Sequence, residues 1–190
     1  MKTHRTPPPV AARSVAALLL CSAITACIGT SLPVTPVQGF DADAYLGTWH
    51  EIARLDHSFE RGLNTVTATY SYREDGGIKV VNTGCDYDDG KWKTATGKAY
   101  FKKGETTGQL KVSFFGPFYG PYIVFDKDPA SAEYAYVSSG TDKFLWLLAR
   151  SPEVSEARKA DFISKSKALG YDPDKLLWVE HTDDCPAREG

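Results

Sequence analysis

The sequence predicts an all-β domain: an eight-stranded antiparallel up-and-down barrel followed by one C-terminal helix. Three observations point there. Short apolar/polar alternations recur between about residues 45 and 149, each closed by turn residues. A single stretch, near 152–169, carries helix start and stop residues. No internal repeat and no glycine-rich phosphate loop interrupts the series. Hairpin-linked strands favour closure, because a barrel has no exposed edge and eight strands leave room for one small ligand. Periodicity alone leaves a sandwich open.

Tyr45 to Leu55 is the first strand. Thr65 to Arg73 alternates, with Val66, Ala68, Tyr70 and Tyr72 on one face and hydroxyl residues on the other. "EDGG" at 74–77 is a hairpin turn, and Ile78 to Gly84 follows it. "DYDDGK" turns into Trp92 to Lys102, and "KKGETTG" turns again. Leu110, Val112 and Phe114 alternate with Lys111, Ser113 and Phe115. Tyr122 to Phe125, Tyr134 to Ser138 and Phe144 to Ala149 complete the eight. For the helix, Ser151 is the expected N-cap, with Pro152 at the first helical position and Glu153 near the positive end of the dipole. Gly170 stops it, and Val154, Phe162 and Leu169 with Ala157 and Ala168 form a loose apolar stripe that Ile163 falls outside. Leu176 to Glu180 reads as a last short strand.

The chain has 190 residues, 42% hydrophobic and 24% charged, which suits one domain. Net charge is −2 with signs interspersed, so nothing suggests a nucleic-acid partner. The start differs from the rest. Lys2, Arg5 and Arg13 precede the short apolar run Val15–Ile24, too short to span a bilayer and ending in small residues, as a signal peptide does. The closing "ITAC" resembles the lipobox of bacterial lipoproteins. That resemblance implies a signal peptide over 1–26, a diacylglycerol thioether on Cys27 and an amide-linked acyl chain such as palmitate on its amino group. Ile28 after Cys27 is not the aspartate used for inner-membrane retention, which favours the outer membrane. Residues 27–39 form the lipidated tether, whose "IGTSLPVTPVQG" reads as flexible, and the barrel domain runs over 40–190. Of the four cysteines, Cys21 leaves with the signal, so Cys85 and Cys185 remain as a candidate disulfide in an exported protein; two free thiols stay open.

Nearly the whole mature chain, from about Phe40 to Val179, resembles the lipocalin family, most closely the bacterial outer-membrane lipocalins related to apolipoprotein D. "YLGTWHEIARLDHSFERG" carries the Gly-x-Trp block at Gly47 and Trp49. The second block is degenerate on Lys127-Asp128-Pro129, where only Asp128 matches. "FLWLLARSP" carries the third, with its arginine at Arg150, and "GKAYF" and "KVSFFGPFYG" match the bacterial subgroup. The resemblance implies that Trp49 plugs the closed end with Arg150 across its ring, a cation–π contact worth about 0.5–2 kcal/mol. Gly47, Trp49, Asp128 and Arg150 are therefore structural. His50 points away from Trp49 and Glu51 points with it, so "WHE" is not a converging acid/base pair. His50, His57 and His181 lack metal-ligand spacing and are expected on the surface or in turns.

In the family register the ligand-lining set is Val66, Ala68, Tyr70, Val80, Ala99, Leu110, Val112, Phe114, Tyr122, Val137, Phe144 and Trp146, with Leu148 also inward. Small and aromatic members together would leave a cavity, and the Tyr70 and Tyr122 hydroxyls could orient a carboxylate or phosphate. In "SFFGPFYGPY", residues 113–122, four aromatics (Phe115, Phe118, Tyr119, Tyr122) make an apolar rim at the open mouth or fold onto the loop's own core. The resemblance implies a non-enzymatic, membrane-anchored carrier or store of fatty acids or lysophospholipids in envelope maintenance, with no cofactor and no metal. A homodimer stays open. One rival is a small-molecule enzyme, an isomerase or de-epoxidase, which needs converging polar groups. The inward list offers only Glu51. The other is a structural envelope interaction protein built around a filled barrel.

Overall fold

The computed structural model describes residues 29–129 and 132–185, so the signal segment and Cys27 lie outside the described residues. One turn of helix, α1 (Ala42–Tyr45), leads into β1 (Gly47–Leu55), β2 (Leu63–Tyr72), β3 (Ile78–Asp86) and β4 (Lys91–Phe101). These are followed by β5 (Gln109–Ser113), β6 (Gly120–Lys127), β7 (Tyr134–Ser138) and β8 (Leu145–Ala149). Helix α2 (Glu156–Ala168), a 3-10 turn (Pro173–Lys175) and β9 (Leu176–Trp178) complete the chain. Each of β1 to β8 pairs antiparallel with its sequence neighbours, and β8 and β2 both pair with β1, which closes the barrel. The short β9 lies outside that circuit, along the end of β1 through Ala53↔Trp178. The sandwich is thereby excluded.

Alternation sorts the side chains into two cores. Trp49, Ala68, Tyr70, Val80, Ala99, Leu110, Val137 and Leu148 face the barrel interior. Leu145, Leu147, Ala149, Tyr134 and Tyr136 face outward and pack under α2, against Phe162. The helix starts later than its sequence suggests. Its N-cap is Ser155, whose hydroxyl accepts from the Arg158 amide, and Ser151 and Pro152 belong to the preceding loop. Two serines four residues apart compete there, and the cap goes to the one whose helix buries Phe162 and Ser166. Ala157 and Ala168 are correspondingly exposed, a departure from the expected stripe, while Val154 and Leu169 flank the buried face.

Of the tether expected over 27–39, the described part, residues 29–39, is not free coil. It is a strap pinned along the outside of the barrel. Leu32 N–H donates to Gly140 O at 2.9 Å, Asp142 N–H to Thr30 O at 3.0 Å, and Thr30 N–H to the Asp142 carboxylate at 2.8 Å. Farther down, Val37 N–H donates to Val124 O, Gly108 N–H to Val37 O, and Phe40 N–H to Thr106 O. Proline and glycine make the segment look like free coil, but its amides find partners across the fold. At the other end of the chain, Cys85 and Cys185 are bonded, with Cα atoms 5.3 Å apart, and Thr65 N–H holds Glu180 O. The segment from Val179 to Cys185 is thus fixed to the wall.

Candidate functional site: the barrel cavity

The closed end is built around Trp49, which is wholly buried. Its indole N–H donates to Tyr45 O at 2.8 Å, and the Arg150 guanidinium lies 3.8 Å from its ring centroid. Arg150 also donates to the carbonyls of Thr48, Ala44 and Leu46 at the α1–β1 junction. Gly47 sits at φ +90°, where a side chain would be strained, and a Cβ there would come within 3.5 Å of Arg150. Asp128 closes the β6–β7 connection through its backbone, its N–H donating to Tyr134 O.

Above this floor is a cavity of about 780 Å³. All twelve side chains assigned to the lining by sequence border it, as does Leu148. The walls are mainly aliphatic and aromatic, but two polar constellations stand in them. At the base, Tyr45 Oη lies 2.6 Å from Tyr122 Oη, which lies 2.9 Å from Tyr70 Oη. Tyr122 therefore turns inward and leaves the rim to Phe115, Phe118 and Tyr119. Burial raises all three phenol pKa values, so the ladder stays neutral. Three hydroxyl protons serve two internal bonds, and one donor remains for the cavity.

The second constellation overturns the expectation that Glu51 stands alone. Glu51, Arg54, His57 and Glu60 are all buried. Arg54 Nη1 donates to Glu51 Oε1 at 2.6 Å, and Arg54 Nη2 to the carbonyls of Glu60 and Leu63. Glu60 receives the Trp146 indole N–H at 3.2 Å and the Asn82 amide at 3.4 Å, with His57 Nε2 3.0 Å away. Strict alternation puts Arg54 outside. A bulge between Glu51 and Ala53 inserts one residue, so Arg54 pairs with inward Trp146 while Ile52, Ala53 and Leu55 pack under the helix. His57 lies in the β1–β2 turn, one of the two places expected, but it is buried there rather than exposed, its ring stacked on Phe59 at 4.0 Å between centroids. No sequence signal marks the bulge, although "RLDHSFERG" shows that charge is concentrated at this corner.

Burial raises the Glu51 pKa well above the ordinary carboxylate value, and the neighbouring Glu60 charge adds to the effect. Glu60 is buried too, but His57 and the Trp146 indole outweigh that cost and lower its pKa. The two carboxylates thus shift in opposite directions around the shared Arg54. The set closes on itself and clamps the β1–β2 loop to the wall. On the outer face, His50 and His181 rings pack edge to face, 5.1 Å apart, and His181 Nε2 lies 2.8 Å from Glu51 O. His50 and Glu51 thus face opposite sides, as alternation requires.

The mouth is framed by the loops at 56–62, 87–90, 114–119 and 139–144. Phe115 and Phe118 are 77% and 79% exposed there, and Phe59 is 49% exposed.

A barrel closed by a tryptophan and arginine, open above an apolar cavity and backed by one helix, has relatives in both sequence and structure. The model of the lipocalin-like domain matches residues 40–181. The outer membrane lipoprotein Blc of Vibrio cholerae is 51% identical over 164 residues, 86% of this chain and 96% of that protein. The chain is a lipocalin. The Escherichia coli K12 outer membrane lipoprotein Blc is 46% identical over 174 residues, 90% and 96% of the two chains. Rat apolipoprotein D is 37% identical over 129 residues, 63% of this chain and 66% of that one. Among solved lipocalin barrels, insecticyanin of the tobacco hornworm Manduca sexta superposes with a TM-score of 0.67 at 23% identity, covering 84% of this chain and 90% of that one. Lobster apocrustacyanin A1 gives 0.62 at 18%, covering 80% and 93%. These two share the fold. The bacterial relatives place this lipocalin in the outer membrane.

Proposed function

We propose that this lipocalin is held in the outer membrane, on its periplasmic face, by acyl chains on Cys27 and binds fatty acids or lysophospholipids without transforming them. It stores or carries them for envelope maintenance. The cavity supports this reading: its volume falls in the roughly 300–1,000 Å³ range of small-ligand sites, and its walls are mostly hydrocarbon and ring. An acyl chain entering it gains about 0.8 kcal/mol for each CH₂ buried. The remaining donor of the tyrosine ladder and the polar groups at the mouth offer two places for a head group. The relatives named as outer membrane lipoproteins support the lipobox reading of "ITAC".

The enzymatic alternative draws on one observation, the buried Glu51–Glu60–His57 group. Against it, Arg54, Trp146 and Asn82 occupy those carboxylates. Native mass spectrometry of the protein purified from membranes, with extraction of bound lipid, tests the proposal. One acyl lipid per barrel is expected. An empty protein that also fails to take up added palmitate or lysophospholipid would contradict it.

A further inference from the structure

We propose that the open mouth of the barrel faces the bilayer, with Phe115 and Phe118 inserted among the lipids. This rests on the reading of Cys27 as the acylated residue. Two independent features of the fold converge on it. The first is where the strap begins. Thr30 and Leu32 are hydrogen-bonded to Asp142 and Gly140, in the β7–β8 loop of the mouth. Gly29 borders the cavity and lies tight against Asp142 and Lys143, leaving no room for a Cβ beside the Asp142 carboxylate. Cys27 is two residues farther. At no more than about 3.6 Å per residue, its Cα is within roughly 7 Å of Gly29. An anchor on so short a lead cannot hold the floor of the barrel toward the lipid, because the strap is bonded down the wall and offers no slack.

The second feature is the β5–β6 loop. Phe115 and Phe118 are the most exposed large apolar side chains among the described residues, and Phe59 joins them across the mouth. Just behind, Tyr119 is flanked by Lys111 and Lys98, with ammonium groups 4.9 and 5.9 Å from its ring. Apolar tips ahead of an aromatic ring and two cations match a bilayer interface, where rings sit at headgroup depth and lysines meet phosphates. The chain's exit and the apolar tip thus lie on the same rim. In this orientation a lipid passes between membrane and cavity without exposing its acyl chain to water.

The test uses the full chain in vesicles of phosphatidylethanolamine and phosphatidylglycerol. An environment-sensitive dye is placed at Phe118→Cys, and separately at Lys103→Cys near the closed end. Lipids carrying a shallow quencher should dim the first and spare the second. The full chain with Cys27→Ser, which lacks the anchor, should still associate weakly with the same vesicles. Adding Phe115→Ser and Phe118→Ser to that chain should lower the association about tenfold or more. Palmitate labelling reports the anchor separately, so a chain that proves unlipidated refutes the Cys27 reading while the unanchored arm still decides the rim. Dimming of Lys103→Cys alone, or no effect of the two serines, overturns the proposal. So does a Phe118→Cys dye shielded equally in detergent and released on dilution, which would mean that a second copy covers the rim.

Discussion

Trp49 and Trp146 sit on one interior surface and have opposite duties. Trp49 is sealed between Tyr45 and Arg150. Trp49→Ala should cost about 3–5 kcal/mol in chemical denaturation, the usual range for a buried large aromatic. Trp146 borders space, so Trp146→Ala should cost less stability and more ligand affinity. Glu51 yields a pH prediction. Its pKa is raised in the fold, so above the ordinary glutamate value near 4.3 the folded state holds a proton that the unfolded chain has lost. That contribution is fully present below the unfolded pKa and is lost as pH rises through the folded one. Unfolding free energies of wild type and Glu51→Gln, measured from pH 5 to 9, should diverge in favour of the variant as pH rises. A constant difference would contradict the assignment. Trp49, Glu51 and Arg150 were legible because block motifs and period-two alternation fix their faces. Arg54 and Glu60 were not, since a single bulge reverses the parity and leaves no composition behind.

Strands show themselves in sequence through side-chain alternation, and their ranges came out within a few residues of expectation. Segments held by backbone bonds do not show themselves. The strap reads as Pro/Gly coil because its partners, among them Gly140, Val124 and Thr106, are distant in the chain. The helix start was misplaced for a related reason, as Ser151 and Ser155 are both competent caps and only packing chooses. Ser155→Ala should cost about 1 kcal/mol, and Ser151→Ala close to nothing, by thermal or chemical denaturation. The Cys85–Cys185 bond closes a span of 100 residues. Replacing both by serine should cost up to about 4.7 kcal/mol on the chain-entropy model, and non-reducing peptide mapping should recover the linked pair.

At the scale of the molecule, closure determines function. With β1 paired to both β8 and β2, the interior is shielded on every side but the mouth, and its mixture of alanine, valine and aromatic rings leaves it open. The order of the blocks in the sequence was enough to predict that closure. The polar corner of Glu51, Arg54, His57 and Glu60 was not, because it depends on the bulge that turns Arg54 inward to meet the loop that follows β1. Anchoring is tested at this scale too: Cys27→Ser should release the protein from membranes and abolish labelling by a clickable palmitate, and unchanged labelling would remove the lipobox reading. The central claim is an acyl chain lying at the depth of Trp146, four residues before Arg150 and roughly 13 Å along the strand from the floor at about 3.3 Å per residue. It is tested most directly by titrating palmitate while following tryptophan fluorescence in wild type, Trp146→Phe and Trp49→Phe. A saturable change that persists in Trp49→Phe and is largely lost in Trp146→Phe is the predicted result; its loss in Trp49→Phe with full retention in Trp146→Phe would contradict the account.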